Sequence, residues 1–420
     1  MKRPWAVGLE DASEQLDLSE LENPVEGVEA KLVEANAADS EIEELAGDGE
    51  SLGRDTENLE NLEDTVSDAA GDDGEGEVSE TAARAVDVAV EHFAQRWGIS
   101  RRNYRVGNES AKPSDSLKAK VALESIMDAV KDAWHTFVQW LTELLAKLKD
   151  WWLKYVNAGK SIRERADKLS DRLDNLGAKE KDKIKGNWMK DLCIDQRVDV
   201  ENVISIATGM SSTMERYLKN VMVRITAAGE LVRQKGRGSR GFVKAESEEA
   251  NFGKKTTKAM SKLVPSGSKS VAVRAIPGNG YIISYLMNDV SETRFFAAPT
   301  EGNSTDLPKE MPTPDLAAMK KACSAASTAG DILEKRLKDF RAVNDDMSKL
   351  KDAAKTAADA FKDAKAEEKA DKKLAMREAR AAVNSALVMN RSVVYALKAI
   401  GTGLLGYVSA GISAYEKTAA

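Results

Sequence analysis

The sequence is poor in the residues that build reactive centres. Its 420 residues hold only two cysteines and two histidines. Two isolated thiols, Cys193 and Cys323, argue against a disulfide framework and fit a reducing compartment. His92 and His135 form no Cys/His cluster with metal spacing, and His135 sits among apolar helical positions, so no metal site is expected. No Gly-x-Ser-x-Gly elbow, dinucleotide glycine fingerprint or pair of acids in an apolar pattern occurs. The expectation is a protein with no cofactor and no enzymatic activity. Aromatics make up 5% of the chain and charged residues 31%. That balance disfavours a dense β-core and fits long helices. Long apolar runs are scarce too. Val393–Tyr415 is the transmembrane candidate, but Lys398 interrupts it and Gly401, Gly403, Gly406 and Gly411 favour close helix contact. A buried C-terminal helix is expected, and a membrane span is not. Met1-Lys2-Arg3-Pro4-Trp5 lacks the apolar run of a secretory signal.

What the chain has is charge, unevenly placed. The formal net charge is −7. Residues 1–124 carry 12 Lys or Arg against 31 Asp or Glu, a net of −19, and residues 125–420 carry 50 against 38, a net of +12. An acidic arm on a basic body suits a tail that masks or imitates contact with a polyanion. Residues 1–80 are expected to be disordered or weakly helical, because their acid runs and Gly-Asp-Asp-Gly at 71–74 bury little apolar surface. Short amphipathic pieces remain around Leu16, Leu18 and Leu21 and around Leu59 and Leu62. Thr81–Trp97 reads as a short helix stopped by Gly98. Residues 100–116 read as a linker.

The body opens with a strong signal. Met127, Val130, Trp134, Phe137, Leu141, Leu144, Leu148, Trp151 and Tyr155 recur in alternating steps of three and four, the pattern of a helix with one buried seam. Val138, Leu145 and Trp152 widen that face, as in a bundle helix. A bend is expected at Asn157 and Gly159, then helices over 161–176 and 179–192. A long helical pattern over 198–235 ends in a basic glycine-rich loop, where Lys235, Arg237 and Arg240 are candidates for nucleic-acid phosphate contact. Residues 270–299 alternate with period two around Pro277-Gly278-Asn279-Gly280 and Asn288-Asp289, which predicts a three-stranded antiparallel meander. A Pro-rich linker follows to Pro314. Asp315 caps a long C-terminal helix, and a last helix runs from about Ala375 to Tyr415. The expected fold is mainly α: an elongated helical bundle with a small β-meander and a disordered acidic arm. Its stretches are 1–124, 125–265, 266–314 and 315–420.

The charge boundary falls at Ala122-Leu123-Glu124, followed by Ser125. With the acidic 1–80, the Trp-rich helix just after this tripeptide and the Pro277-Gly278-Asn279 turn, the chain resembles the internal head proteins of large tailed bacteriophages, the myoviruses with giant genomes. The resemblance implies an acidic propeptide removed by the phage's prohead protease after a small residue, any residue and Glu. It implies a helical mature part packed inside the capsid with capsid or scaffold core proteins and genomic double-stranded DNA, and ejected with that DNA in some phages. Ala122, Leu123, Glu124 and Ser125 are the candidate cleavage residues. The tripeptide recurs at 12–14, 178–180, 228–230, 366–368 and 414–416. Most of these fall in expected helices, where a protease cannot bind an extended strand, whereas Glu124 lies near the linker.

Two other classes fit parts of the pattern. A cytoplasmic helical scaffold would be an unprocessed oligomer with little salt-dependent DNA binding. A membrane-active effector would place Trp134, Trp140, Trp151 and Trp152 at a lipid interface, whereas a bundle would bury them.

Overall fold

The computed structural model describes residues 24–70, 80–99, 115–233, 265–287, 290–296 and 307–417, apart from 362 and 365. Among them the chain forms eight helices and nine mostly short strands. The helices are α1 (Pro24–Ala70), α2 (Glu80–Trp97), α3 (Asp115–Leu173), α4 (Trp188–Asp191), α5 (Val200–Arg233), α6 (Leu316–Lys335), α7 (Leu337–Asp359) and α8 (Ala366–Ile412). The protein is mainly α, with one three-stranded antiparallel sheet.

Helix α3 is the frame. Its 59 residues run roughly 88 Å at about 1.5 Å per residue. All the seam positions from Met127 to Tyr155 are buried, and so is Trp152. Each such large apolar side chain contributes about 1.5–3 kcal/mol on burial. Helices α1, α2, α6, α7 and α8 pack along α3. One apolar core connects buried residues from Leu32 to Ala414.

The expected bend at Asn157 and Gly159 does not occur, because α3 continues unbroken to Leu173. Gly159 serves a crossing instead. A Cβ there would lie 2.6 Å from Leu333 Cβ and 2.7 Å from the Gly330 carbonyl oxygen, and a Cβ on Gly330 would lie 2.6 Å from the Gly159 oxygen. Paired glycines let the α3 and α6 backbones touch, and that packing overrides glycine's weak helix propensity.

The helix expected over 179–192 is also replaced. Strands β1 (Leu176–Lys179) and β2 (Lys183–Ile184) lead into the single-turn α4, and β3 (Cys193–Ile194) pairs with β4 (Arg197–Val198). Strand β1 pairs with β9 (Tyr415–Lys417), and β2 pairs with β8 (Met311–Pro312). These partners lie more than 100 residues away in the sequence, so local periodicity carries no trace of them.

The meander forms as expected from β5 (Lys269–Ile276), β6 (Gly280–Met287) and β7 (Val290–Phe296), in that order. Period-two alternation divides its faces. Val273, Tyr281, Ile283 and Tyr285 make a small core of their own. Ile276, Ile282 and Phe295 face the main core. Gly278 has φ +82° and accepts from Tyr395 Oη of α8 at 2.7 Å through its carbonyl. The Asn279 side chain accepts from the Gln196 backbone N–H at 2.9 Å. The Pro-Gly-Asn turn thus fastens the sheet to α8 and to the β3–β4 hairpin.

At the C-terminal end, Asp315 caps α6 by accepting from the Ala318 N–H at 2.7 Å. The expected single helix from Asp315 is two, broken at Arg336, which is buried with its guanidinium 5.5 Å from the Trp152 ring. Helix α8 is long and apolar enough to cross a membrane by length and composition, with 61% of its most apolar window buried in the fold. Its glycines are contact points: a Cβ on Gly401 would lie 2.9 Å from Ile162, and one on Gly403 or Gly406 would lie 2.6 Å from Leu192 or Trp188.

The largest departure from expectation is in the acidic arm. Residues 24–70, read as disordered or weakly helical, form the 47-residue helix α1. Its apolar positions are sparse but fall on one side: Leu32, Ala35, Ala38, Ile42, Leu52, Leu59 and Val66 are all buried. Tertiary contact supplies the burial that the local sequence cannot.

Candidate functional site

Helix α1 contains 15 Asp or Glu and two Lys or Arg. Its acids lie against donors of α3, β7 and α8. Glu60, with no solvent exposure, accepts from Arg377 Nε at 2.8 Å and from Trp134 Nε1 at 3.1 Å, and lies 3.9 Å from Arg380 Nη1. Lys373 is buried between Glu63 and Asp64 and donates to both. Arg391 meets Asp39 at 3.5 Å and Glu43 at 3.2 Å. Lys398 donates to Asn36 Oδ1 at 2.7 Å, Lys147 to Glu41 at 2.7 Å and Trp151 Nε1 to Asp39 at 3.2 Å. Trp140 Nε1 donates to the Leu45 carbonyl at 2.8 Å. In every one of these contacts α1 accepts and the body donates.

The bundle reading of the four tryptophans holds, since Trp134, Trp140, Trp151 and Trp152 are all buried. Three of them have a second role that apolar spacing does not announce, as N–H donors to the acidic helix. The cations of α8 were also missed. Lys373, Arg377, Arg380, Arg391 and Lys398 fall within about 60° of arc at 100° per residue, a straight stripe about 38 Å long. That spacing is readable in the sequence, but it was hidden among the many charges of the segment.

A cavity of about 460 Å³ opens between α1, α3, the meander and α8, bordered by Glu50, Arg54, Glu292, Arg294, Arg377 and Arg380. Gly49 belongs here because a Cβ would collide with the Trp140 indole. Burial pushes the Glu292 carboxyl up to about 7, Arg224 and Arg380 pull it down, and Glu50 raises it further. Burial likewise lowers Lys398, against the opposing fields of Asp39 and Asp191. Cys193 and Cys323 are buried, and desolvation pushes each thiol up to about 11. Among the described residues no group of three or more His, Cys, Asp or Glu is placed to hold a metal ion.

The residues singled out from sequence do not gather in one place. Lys235, Arg237 and Arg240 lie outside the described residues. Ala122, Leu123, Glu124 and Ser125 lie within the first turns of α3, with Ala122 and Ser125 buried and Glu124 exposed. The expected contrast between Glu124 and the other matches therefore changes. Ala178-Lys179-Glu180, placed at a helix start by sequence, is exposed and extended at the end of β1. The match at 228–230 is helical, and Ala414 is buried.

The fold and this site define a helical structural protein whose acidic N-terminal helix is clamped by its own basic, tryptophan-bearing body. Residues 29–410 match the family model of the phiKZ-like phage internal head proteins, and the chain belongs to that family. Membership makes it a structural protein of the phage head interior. The match begins inside α1 and so covers residues 29–124 of the acidic arm. Comparison with curated proteins and with solved structures gave no match.

Proposed function

We propose that the protein is built as two oppositely charged parts, an acidic arm and a basic body that lies with the packaged genome. The carrying observation is the split from −19 to +12 at Glu124. During assembly the arm keeps the body soluble and holds it among the capsid and scaffold core proteins in the host cytoplasm. The prohead protease then cuts after Glu124. The freed body meets genomic double-stranded DNA through Lys and Arg, Lys235, Arg237 and Arg240 among them, without reading sequence. Ejection with the DNA follows from that association.

The cut demands local unwinding. A protease binds an extended strand, so the start of α3 must fray through Ser125 before the bond is reached. That stretch, from Asp115 to Ser125, is about three helical turns and includes the buried Ala122 and Ser125; opening this end of α3 is still cheaper than opening the whole bundle. Mass spectrometry of the protein from purified particles tests the reading. A mature N-terminus at Ser125 is expected. A start at Met1 removes the charge switch, and a C-terminal peptide beginning at Lys181 moves the cut to the exposed strand.

A further inference from the structure

The donor row beneath α1 has a specific chemistry. It presents seven cations (Lys147, Arg294, Lys373, Arg377, Arg380, Arg391 and Lys398) and three indole N–H groups. Opposite them α1 offers carboxylates, the amide oxygens of Asn36 and Asn61, and the backbone carbonyls of Leu45 and Glu60. Arg380 Nη1 is buried and makes no hydrogen bond. The row therefore still has a donor that α1 does not fill.

We propose that this row is a binding face for the phosphate backbone of duplex DNA, and that α1 occupies it as a helical substitute for that polyanion. The inference deepens the function proposed above, and rests on it, by naming the surface that meets DNA and what keeps it shut. Three observations carry it. First, the α8 cations form a straight stripe about 38 Å long. A duplex makes about one helical turn over that length, so one of its faces presents several phosphates from its two strands to such a row. Second, the hydrogen-bonding acceptors that meet the stripe from α1 are all oxygens on an acidic rod, the same acceptor class as a phosphodiester, while Arg391 and Lys398 also lie over the rings of Phe295 and Tyr395. Third, α1 is weakly built as a permanent helix. Gly47, Gly49 and Gly53 lie in its middle, each costing about 1 kcal/mol relative to Ala. No α1 residue from Glu43 to Ser51 is a buried apolar one. Apart from Leu45 and Ala46, half-buried against the core, its central grip is polar, and a competing polyanion can replace those polar contacts.

The test uses the full chain with a specific protease site inserted between residues 72 and 79, so that α1 is severed only after folding. A fluorophore on V33C reports α1 release; Val33 is 66% exposed, whereas both native cysteines are buried. The nicked complex is titrated with a 30-bp duplex at several salt concentrations. Duplex addition is expected to release α1 and to bind the nicked protein at least tenfold more tightly than the intact chain. The slope of log K against log salt should be about −4 to −6. R377A/R391A in the nicked complex should weaken duplex binding at least tenfold and flatten the slope by about 2, while circular dichroism confirms its helix content. Three results would overturn the proposal: α1 retained under saturating duplex, equal duplex affinity of nicked and intact protein, or α1 released by pairing of two bodies without DNA. Because the cut is engineered, the outcome is separate from whether particles contain a chain cut at Glu124.

Discussion

Removing the Glu60 carboxylate should loosen α1 more than removing any exposed acid of that helix. Glu60 has 0% side-chain exposure, while Arg377 and Arg380 retain 22% and 13%. Glu60→Ala takes the acceptor from Arg377 and from the Trp134 indole at once. Breaking a buried charged pair costs about 3–5 kcal/mol. Partial water access to the two guanidinium groups argues for the lower end, about 3 kcal/mol. Glu60→Gln keeps one oxygen, for Arg377 or for Trp134 but not for both, since they bond different carboxylate oxygens; with one buried donor left unmet, about 1–3 kcal/mol is expected. Glu41, half exposed in its pair with Lys147, sets the baseline, and Glu41→Ala should cost under about 1 kcal/mol. Hydrogen exchange of the α1 amides reads this directly. If α1 opens locally, Glu60→Ala should speed exchange about a hundredfold, since about 1.4 kcal/mol is a factor of ten. Equal exchange in the Glu60→Ala and Glu41→Ala proteins would refute the idea that α1 is held by its buried polar contacts.

Other outcomes follow from particular contacts. Gly159→Ala gains up to about 1 kcal/mol of helix propensity but places a methyl against the Gly330 carbonyl; a net loss of about 1–3 kcal/mol is expected in urea unfolding, and neutrality would disprove the close crossing. Gly49→Ala drives a methyl into the Trp140 indole, so tryptophan emission should shift to the red and α1 exchange should quicken. Glu292 has a folded-state pKa near 7, above its ordinary value of 4.5, so the folded protein holds the proton more tightly than the unfolded chain does. Its contribution is full below about pH 4.5 and is lost as pH rises to about 7. Glu292→Gln should flatten that part of the pH–stability profile, read by thermal melts from pH 4.5 to 8. Cys193 and Cys323, buried with thiols raised to about 11, should react with a thiol reagent at pH 8 only on unfolding; rapid native labelling would contradict their burial.

Legibility varied with the range of the interaction. The seam from Met127 to Tyr155 was readable because each residue's neighbour lies three or four positions away. The meander was readable because Val271, Val273 and Ala275 alternate beside a Pro-Gly-Asn turn. The Asp315 cap was readable because its partner is Ala318. By contrast, Gly159 looked like a bend because glycine is a poor helix former, and its real partner, Gly330, lies in another helix. Residues 179–192 looked helical by composition, but their strand partners are at 311–312 and 415–417. The cleavage residues were separated from rival tripeptides by expected secondary structure, and the fold reversed that contrast at 178–180.

The order of residues alone determined a mainly helical body, a small antiparallel sheet, and a reversal of charge near residue 124. Only the folded arrangement decided where the acidic half resides. Glu60 and Arg377 are 317 residues apart, and no periodic pattern links two charges at that distance. Charge is abundant and locally interchangeable along this chain. Which acid meets which base is therefore set by the packing of α1 across α3 and α8, where lost water must be replaced by a partner.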